Sequence, residues 1–143
     1  MDRRDWMGLL ARAPADVLDR LWQGLGLAPA FEWLRPPEVG GVMVRGRTGA
    51  TGAPFNLGEM TVTRCALVLE SGTVGHGYVQ GRNKQQAEKA ALVDALMQED
   101  AADRIRAALL EPLATQMQAT QDRRAAKAAA TKVEFFTLVR GED

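Results

Sequence analysis

The stretch Glu59–Met97, EMTVTRCALVLESGTVGHGYVQGRNKQQAEKAALVDALM, decides the fold, because it reads as strand, tight turn, strand and capped helix in immediate succession. β-Branched and apolar residues predominate from Glu59 to Leu69, Ser71-Gly72 supplies a two-residue hairpin loop, and Thr73 to Gln80 returns. Asn83 with Gln86 three residues on has capping-box spacing, which predicts a helix from Lys84 to about Glu99.

A two-residue loop sets the cross-strand pairs and hence two faces. One carries Leu69, Val74, Leu67, His76, Cys65, Tyr78, Thr63, Gln80, Thr61 and Arg82. The other carries Val68, Gly75, Ala66, Gly77, Arg64, Val79, Val62 and Gly81. Alternate glycines beside an alanine make a shallow trench, and a trench in a strand admits another backbone. The Ala-rich helix that follows is its expected occupant.

Upstream, Trp6, Leu9, Leu10 and Ala13 fall at helical spacing, and Val17, Leu18, Leu21, Trp22 and Leu25 form the stripe of a second helix that starts at Pro14 and ends at Gly24 or Gly26. Phe31 to Arg35 reads as a strand stopped by Pro36-Pro37, with Gly41 to Arg47 its hairpin partner. The loop Gly46 to Pro54 has glycine at every third position. It lacks the Gly-Lys-Ser/Thr ending of a P-loop and precedes a strand, so it is a turn or partner-ordered loop more readily than a phosphate cradle. Downstream, Ile105, Leu109, Leu113 and Met117 continue a stripe through Pro112, where a helix starting near Ala101 is kinked or restarted. Ala119 to Ala130 has high helix propensity and little bulk for a core. It is either a surface arm or a helix packed tightly on another. Val133 to Gly141 reads as a final strand with both faces largely apolar, buried in the sheet or covered by another chain. The expected fold is α+β: an antiparallel sheet of about five strands with helices packed on it and a long Ala-rich C-terminal helical segment, forming a single domain over residues 1–143.

With 143 residues the chain can bury about two thirds of its unfolded surface. Eighteen basic residues balance eighteen acidic ones, so no global field recruits nucleic acid or an anionic membrane. One cysteine and one histidine exclude an intramolecular disulfide and leave too few ligands for a zinc or iron-sulfur site of the chain's own. No apolar run reaches the roughly 20 residues of a membrane span. A cytoplasmic protein is expected.

No paired carboxylates, nucleophile with a base, or metal set emerges from the sequence. His76 and Cys65 read as structural strand residues. Ligand chemistry concentrates at the strand-to-helix junction Gln80 to Gln85. There Arg82 and Lys84 flank a helix N-terminus, with Arg45, Arg47 and Arg64 as further cations. Arg47, Arg64, Arg82 and Lys84 are the candidate phosphate-binding set. The alternative is that the junction caps the helix and meets acidic groups of a partner.

The segments Gly49-Ala50-Thr51-Gly52, Met60 to Arg64, Tyr78 to Glu88, Asp94 to Met97 and Phe135 to Gly141, in this order and spacing, resemble the PhnG family, a subunit of the bacterial carbon-phosphorus lyase core complex. The resemblance covers the chain almost end to end. It implies a subunit that acts with PhnI, PhnH, PhnJ and PhnL type partners, in two copies within a larger hetero-oligomer. The implied reaction moves the ribosyl triphosphate of ATP onto an alkylphosphonate and releases adenine. It also implies that ATP is the substrate of the complex, that this chain holds no cofactor, and that S-adenosylmethionine and an iron-sulfur cluster belong to a partner. No catalytic residue is carried over. A self-sufficient nucleotide-binding or interaction protein is the competing reading.

Overall fold

The computed structural model describes residues 1–47 and 54–141, with side chains described for 1–46 and 58–134. Residues Met1–Leu113 form one compact unit and Ala114–Asp143 a second. The elements run α1 (Arg3–Arg12), α2 (Ala15–Leu25), β1 (Phe31–Arg47), β2 (Pro54–Leu69), β3 (Val74–Gln80), α3 (Lys84–Leu96), α4 (Ala102–Ile105), a π-helical turn over Arg106–Leu110, and α5 (Glu111–Gly141). No helix among the described residues is long and apolar enough to cross a membrane.

The first unit is built on the expected hairpin and helix. The antiparallel sheet has the order β1-β2-β3, and α3 crosses Gly75 and Gly77 as the trench predicts. A Cβ at Gly75 would strike the Ala91 carbonyl and come within 2.8 Å of Ala95 Cβ. One at Gly77 would strike the Ala87 carbonyl and come within 2.8 Å of Cys65 Sγ. The helix therefore sits at a depth that only glycine permits. On its other sides α3 meets α1 and α2. Every residue from Ala90 to Met97 is buried, and Leu10, Leu18, Ile105, Leu109, Leu110 and Leu113 complete the core.

The register differs from the expected one by a single residue. Leu69 N–H donates to Thr73 O at 2.9 Å and Gly72 N–H to Leu69 O at 2.9 Å, so the loop is Glu70-Ser71-Gly72. Gly72 takes φ 91°, the left-handed residue that a three-residue loop needs. Leu67 consequently faces Gly75 and Cys65 faces Gly77, while Ala66 faces His76 and Arg64 faces Tyr78. The buried face thus holds Cys65, Leu67, Gly75, Gly77 and Val79 together, and Arg64 and His76 are exposed on the other. One residue of slip exchanges the faces of one strand relative to its neighbour.

The sheet has three strands among the described residues, against about five expected. Pro36-Pro37 does not stop the first strand. It sits on the edge strand β1, where a missing N–H costs no ladder bond, and the chain absorbs it in register shifts between Trp33 and Arg35 and between Arg35 and Glu38. Phe31 to Arg35 and Gly41 to Arg47 are therefore two parts of one strand. The expected final strand Val133 to Gly141 is the last part of α5. No glycine or proline separates it from the Ala-rich run, so a helix already nucleated propagates through residues whose β propensity is a weak local preference. Within α5, Thr131 Oγ1 donates back to Lys127 O at 2.9 Å. Residues 121–134 are exposed. Upstream, the π-helical turn lies just before Glu111-Pro112, where proline removes a helix donor. Of the expected glycine-rich loop Gly46 to Pro54, Gly46 and Arg47 end β1 and Pro54 begins β2, while residues 48–53 lie outside those described.

Replacing Gly77 by valine should destabilise the fold by about 1–3 kcal/mol, since a backbone carbonyl and a buried thiol oppose the new side chain. Denaturant melts of the variant and the parent chain measure the difference. Equal midpoints would contradict this account of α3.

Candidate functional site

An acid inside the apolar run Leu92-Val93-Asp94-Ala95-Leu96 must find partners if α3 is to be buried. Asp94 has no exposed surface and four donors converge on it. Arg3 Nε donates to Oδ1 at 3.1 Å and Arg3 Nη2 to Oδ2 at 2.9 Å. Trp6 Nε1 donates to Oδ1 at 2.9 Å, and His76 N–H donates to Oδ2 at 2.9 Å. Arg3 and Trp6 lie three residues apart on α1, so one helix face brings both. The bond to Asp94 raises the Arg3 guanidinium above its ordinary pKa. Gln98 Nε2, just beyond α3, donates to Val74 O at 2.9 Å. Two groups on the outer edge of β3, His76 N–H and Val74 O, are thus capped by Asp94 of α3 and by Gln98, which obstructs pairing of a further strand at those positions. With four donors on a carboxylate that offers about four acceptor sites, Asp94 is saturated and unsuited to proton transfer.

The strand-to-helix junction is organised by Thr63, also without exposed surface. Its hydroxyl donates to Gly81 O at 2.7 Å and accepts from Asn83 N–H at 3.2 Å. Asn83 Oδ1 accepts from Gln86 N–H at 2.9 Å, the expected cap. Gln86 does not complete the capping box; its Nε2 donates to Ala13 O at 2.6 Å and ties α3 to the turn between α1 and α2. At the hairpin loop, Ser71 and Thr73 Oγ1 donate to Glu99, the latter at 2.8 Å, and hold its carboxyl below the usual range. Lys89 pairs with Asp19 between α3 and α2.

Of the predicted phosphate set, Arg64, Arg82 and Lys84 have described side chains, and all three are exposed. Arg64 is exposed on the open sheet face, with Nη2 3.8 Å from where a Gly40 Cβ would stand. Arg82 and Lys84 are exposed on either side of Asn83, and Arg45 is exposed on β1. The Arg47 side chain lies outside those described. His76 is exposed, and only its backbone N–H is engaged. Cys65 Sγ donates to Ala87 O at 3.2 Å, and burial pushes the thiol up to about 11. A cleft lined by Ala30, Phe31, Glu32, Val68, Leu69 and Glu70 offers two carboxylates and no cation, so an anion has no reason to enter it. Among the described residues no group of three or more His, Cys, Asp and Glu is placed to hold a metal ion. Sequence reasoning missed Asp94, Arg3, Trp6 and Thr63; the signal available was an acid within a wholly apolar helical run. The buried polar chemistry described here binds backbone and joins elements.

Comparison with known proteins places the chain among relatives over nearly its whole length. The family model described as phosphonate metabolism protein PhnG matches residues 1–141. The alpha-D-ribose 1-methylphosphonate 5-triphosphate synthase subunit PhnG of Rhizobium meliloti (strain 1021) is 47% identical over 141 residues, covering 99% of this chain and 90% of that protein.

Replacing Asp94 by alanine should cost about 3 kcal/mol or more, because it orphans the Trp6 indole and the His76 amide together with the Arg3 contact. Thermal melts should show that loss, whereas substitution at exposed Arg82 should stay within about 0.5 kcal/mol. Cys65 should react with a thiol reagent far more slowly in the native chain at pH 8 than in the same chain in denaturant. Equal rates would mean that the thiol is accessible.

Proposed function

The chain belongs to the PhnG family of phosphonate metabolism proteins, and we propose that it serves as a non-autonomous subunit of a phosphonate ribosyl-triphosphate synthase. The observation that carries this reading is the whole-length match to a relative named as a subunit of that synthase. In the reaction, the glycosidic bond of ATP breaks, a phosphonate oxygen forms the new bond to ribose C1, and adenine leaves with the displaced proton. Partners of the PhnI, PhnH and PhnL type supply the machinery of this transfer, and a PhnJ-type partner acting in a later step joins the same hetero-oligomer, which holds two copies of this chain. S-adenosylmethionine and iron-sulfur chemistry stay on a partner, and this chain carries no cofactor. The setting is the cytoplasm, where a single free thiol stays reduced.

The polar side chains of the first unit support this division of labour. Asp94 is saturated by structural donors, Cys65 is a protonated buried thiol, and Thr63 is committed to the junction. The chain contributes architecture and surface, and any phosphate it touches falls to Arg47, Arg64, Arg82 and Lys84. The exposed part of α5, residues 121–134, supports a role in assembly. Its Ala-rich part buries little apolar area by itself, and Val133 is 64% exposed.

Deleting residues 131–143 should abolish co-purification with the PhnI-type partner and, with it, adenine release from ATP, while the first unit keeps its thermal transition. A truncated chain that assembles and supports turnover at the full rate would refute the assembly role of α5. A full-length chain that binds ATP as an isolated monomer, and enters no complex, would replace the subunit reading with a self-sufficient nucleotide-binding one.

A further inference from the structure

We propose that the free edge of β1 at Val39, Gly41 and Met43 takes up an extended strand from a partner subunit, with a basic residue opposite Gly41 and apolar residues two positions to either side. The proposal rests on the subunit reading above and adds the surface and the chemistry of its occupant.

The backbone of β1 defines the edge. Thr61 O accepts from Gly81 N–H, and Leu69 N–H donates to Thr73 O, so odd-numbered residues of β2 direct their backbone groups towards β3. Even-numbered ones therefore serve β1, where Met60, Val62 and Arg64 pair with Val42, Gly40 and Glu38. The N–H and C=O groups of Val39, Gly41 and Met43 are left pointing away from the sheet. The outer edge of β3 is capped by Asp94 and Gln98, whereas no hydrogen bond among the described residues covers these groups on β1. Proline at position 37 has no N–H to offer and bounds the run on one side.

The side chains of the same three residues share one face. Val39 is 38% exposed and Met43 52%; with Leu34 at 58%, β1 holds three of the five large hydrophobic residues exposed among those described. A long edge strand with exposed apolar side chains is an invitation to pairing unless a partner covers it. Between Val39 and Met43 lies Gly41, and the Glu59 side chain is folded across it. A Cβ there would lie 2.7 Å from Glu59 Cδ and 3.0 Å from its Cγ. This carboxylate has no hydrogen-bond or ion-pair partner among the described residues, and it stands one strand spacing from the lane of an incoming strand.

That charge selects the occupant. A second copy of the chain, paired about Gly41, would set two Glu59 carboxylates against each other, and like charges across a strand pair are unfavourable. A partner strand of apolar-x-basic-x-apolar pattern meets Val39 and Met43 with its flanks and neutralises Glu59 with its centre.

Residue-resolved amide hydrogen exchange on the full chain, alone and in its co-purified complex, tests this. Val39, Gly41 and Met43 should exchange roughly tenfold or more slowly in the complex, with Gly40 and Val42 unchanged. The Val39→Lys/Met43→Lys double variant should melt like the parent and yield roughly tenfold less co-purified partner. Assembly without protection at the three amides overturns the proposal and leaves the subunit reading intact. Concentration-dependent protection in the isolated chain overturns it in favour of self-pairing. A chain that enters no complex overturns both.

Discussion

The contact between the backbone of α3 and the two glycines of β3 is the constraint on which the rest of the first unit depends. The Ala87 and Ala91 carbonyls lie where side chains at Gly77 and Gly75 would be. Lowering the helix this far places Asp94 level with the β3 edge, so that its carboxylate meets the His76 amide directly. The same depth lets Cys65 donate to Ala87 O. A helix lifted by one methyl layer would part Asp94 from the strand, and Arg3 and Trp6 would lose the anchor that docks α1. Residues with little bulk thus set the geometry that the bulky core residues then fill.

What the sequence made legible follows from the range of the forces involved. The Asn83 cap, the alternation of β2 and β3, and the glycine trench are local patterns whose physical cause lies within a few residues, and each is present in the structure. The register error came from a loop one residue longer than Ser71-Gly72 suggested. Glu70 reads as a strand residue by position, whereas the Leu69–Thr73 hydrogen bond and the left-handed conformation of Gly72 make it the first residue of a three-residue loop. The strand count failed for a different reason. Pro36-Pro37 stops a central strand but not an edge strand, and edge position is a property of the whole sheet. At Val133 to Gly141 side-chain β propensity competed with an uninterrupted helix, and the cooperative element prevailed.

Charged residues at the junction are legible in the sequence, and Arg64, Arg82 and Lys84 are exposed in the structure. The Asp94 cluster was not legible, because its members come from positions 3, 6, 76 and 94, and nothing local couples them. Its trace was the presence of one acid in a run otherwise suited to a core. A buried acid of this kind needs its partners supplied from elsewhere in the chain, which is why α1 carries an arginine and a tryptophan on one face.

The two edges of the sheet are treated in opposite ways. On β3, side chains of Asp94 and Gln98 bond the outward N–H of His76 and the outward C=O of Val74, so that edge is capped at these two positions within the chain. Along β1, Pro36-Pro37 interrupts the edge near its middle, and the run beyond it presents Val39 and Met43 with no cap among the described residues. Protecting an edge takes only a charged residue or a second proline, and β1 has neither between Val39 and Val44. A chain that spends its buried aspartate on capping one edge and leaves apolar side chains along the other has the asymmetry expected of a protein finished by a neighbour.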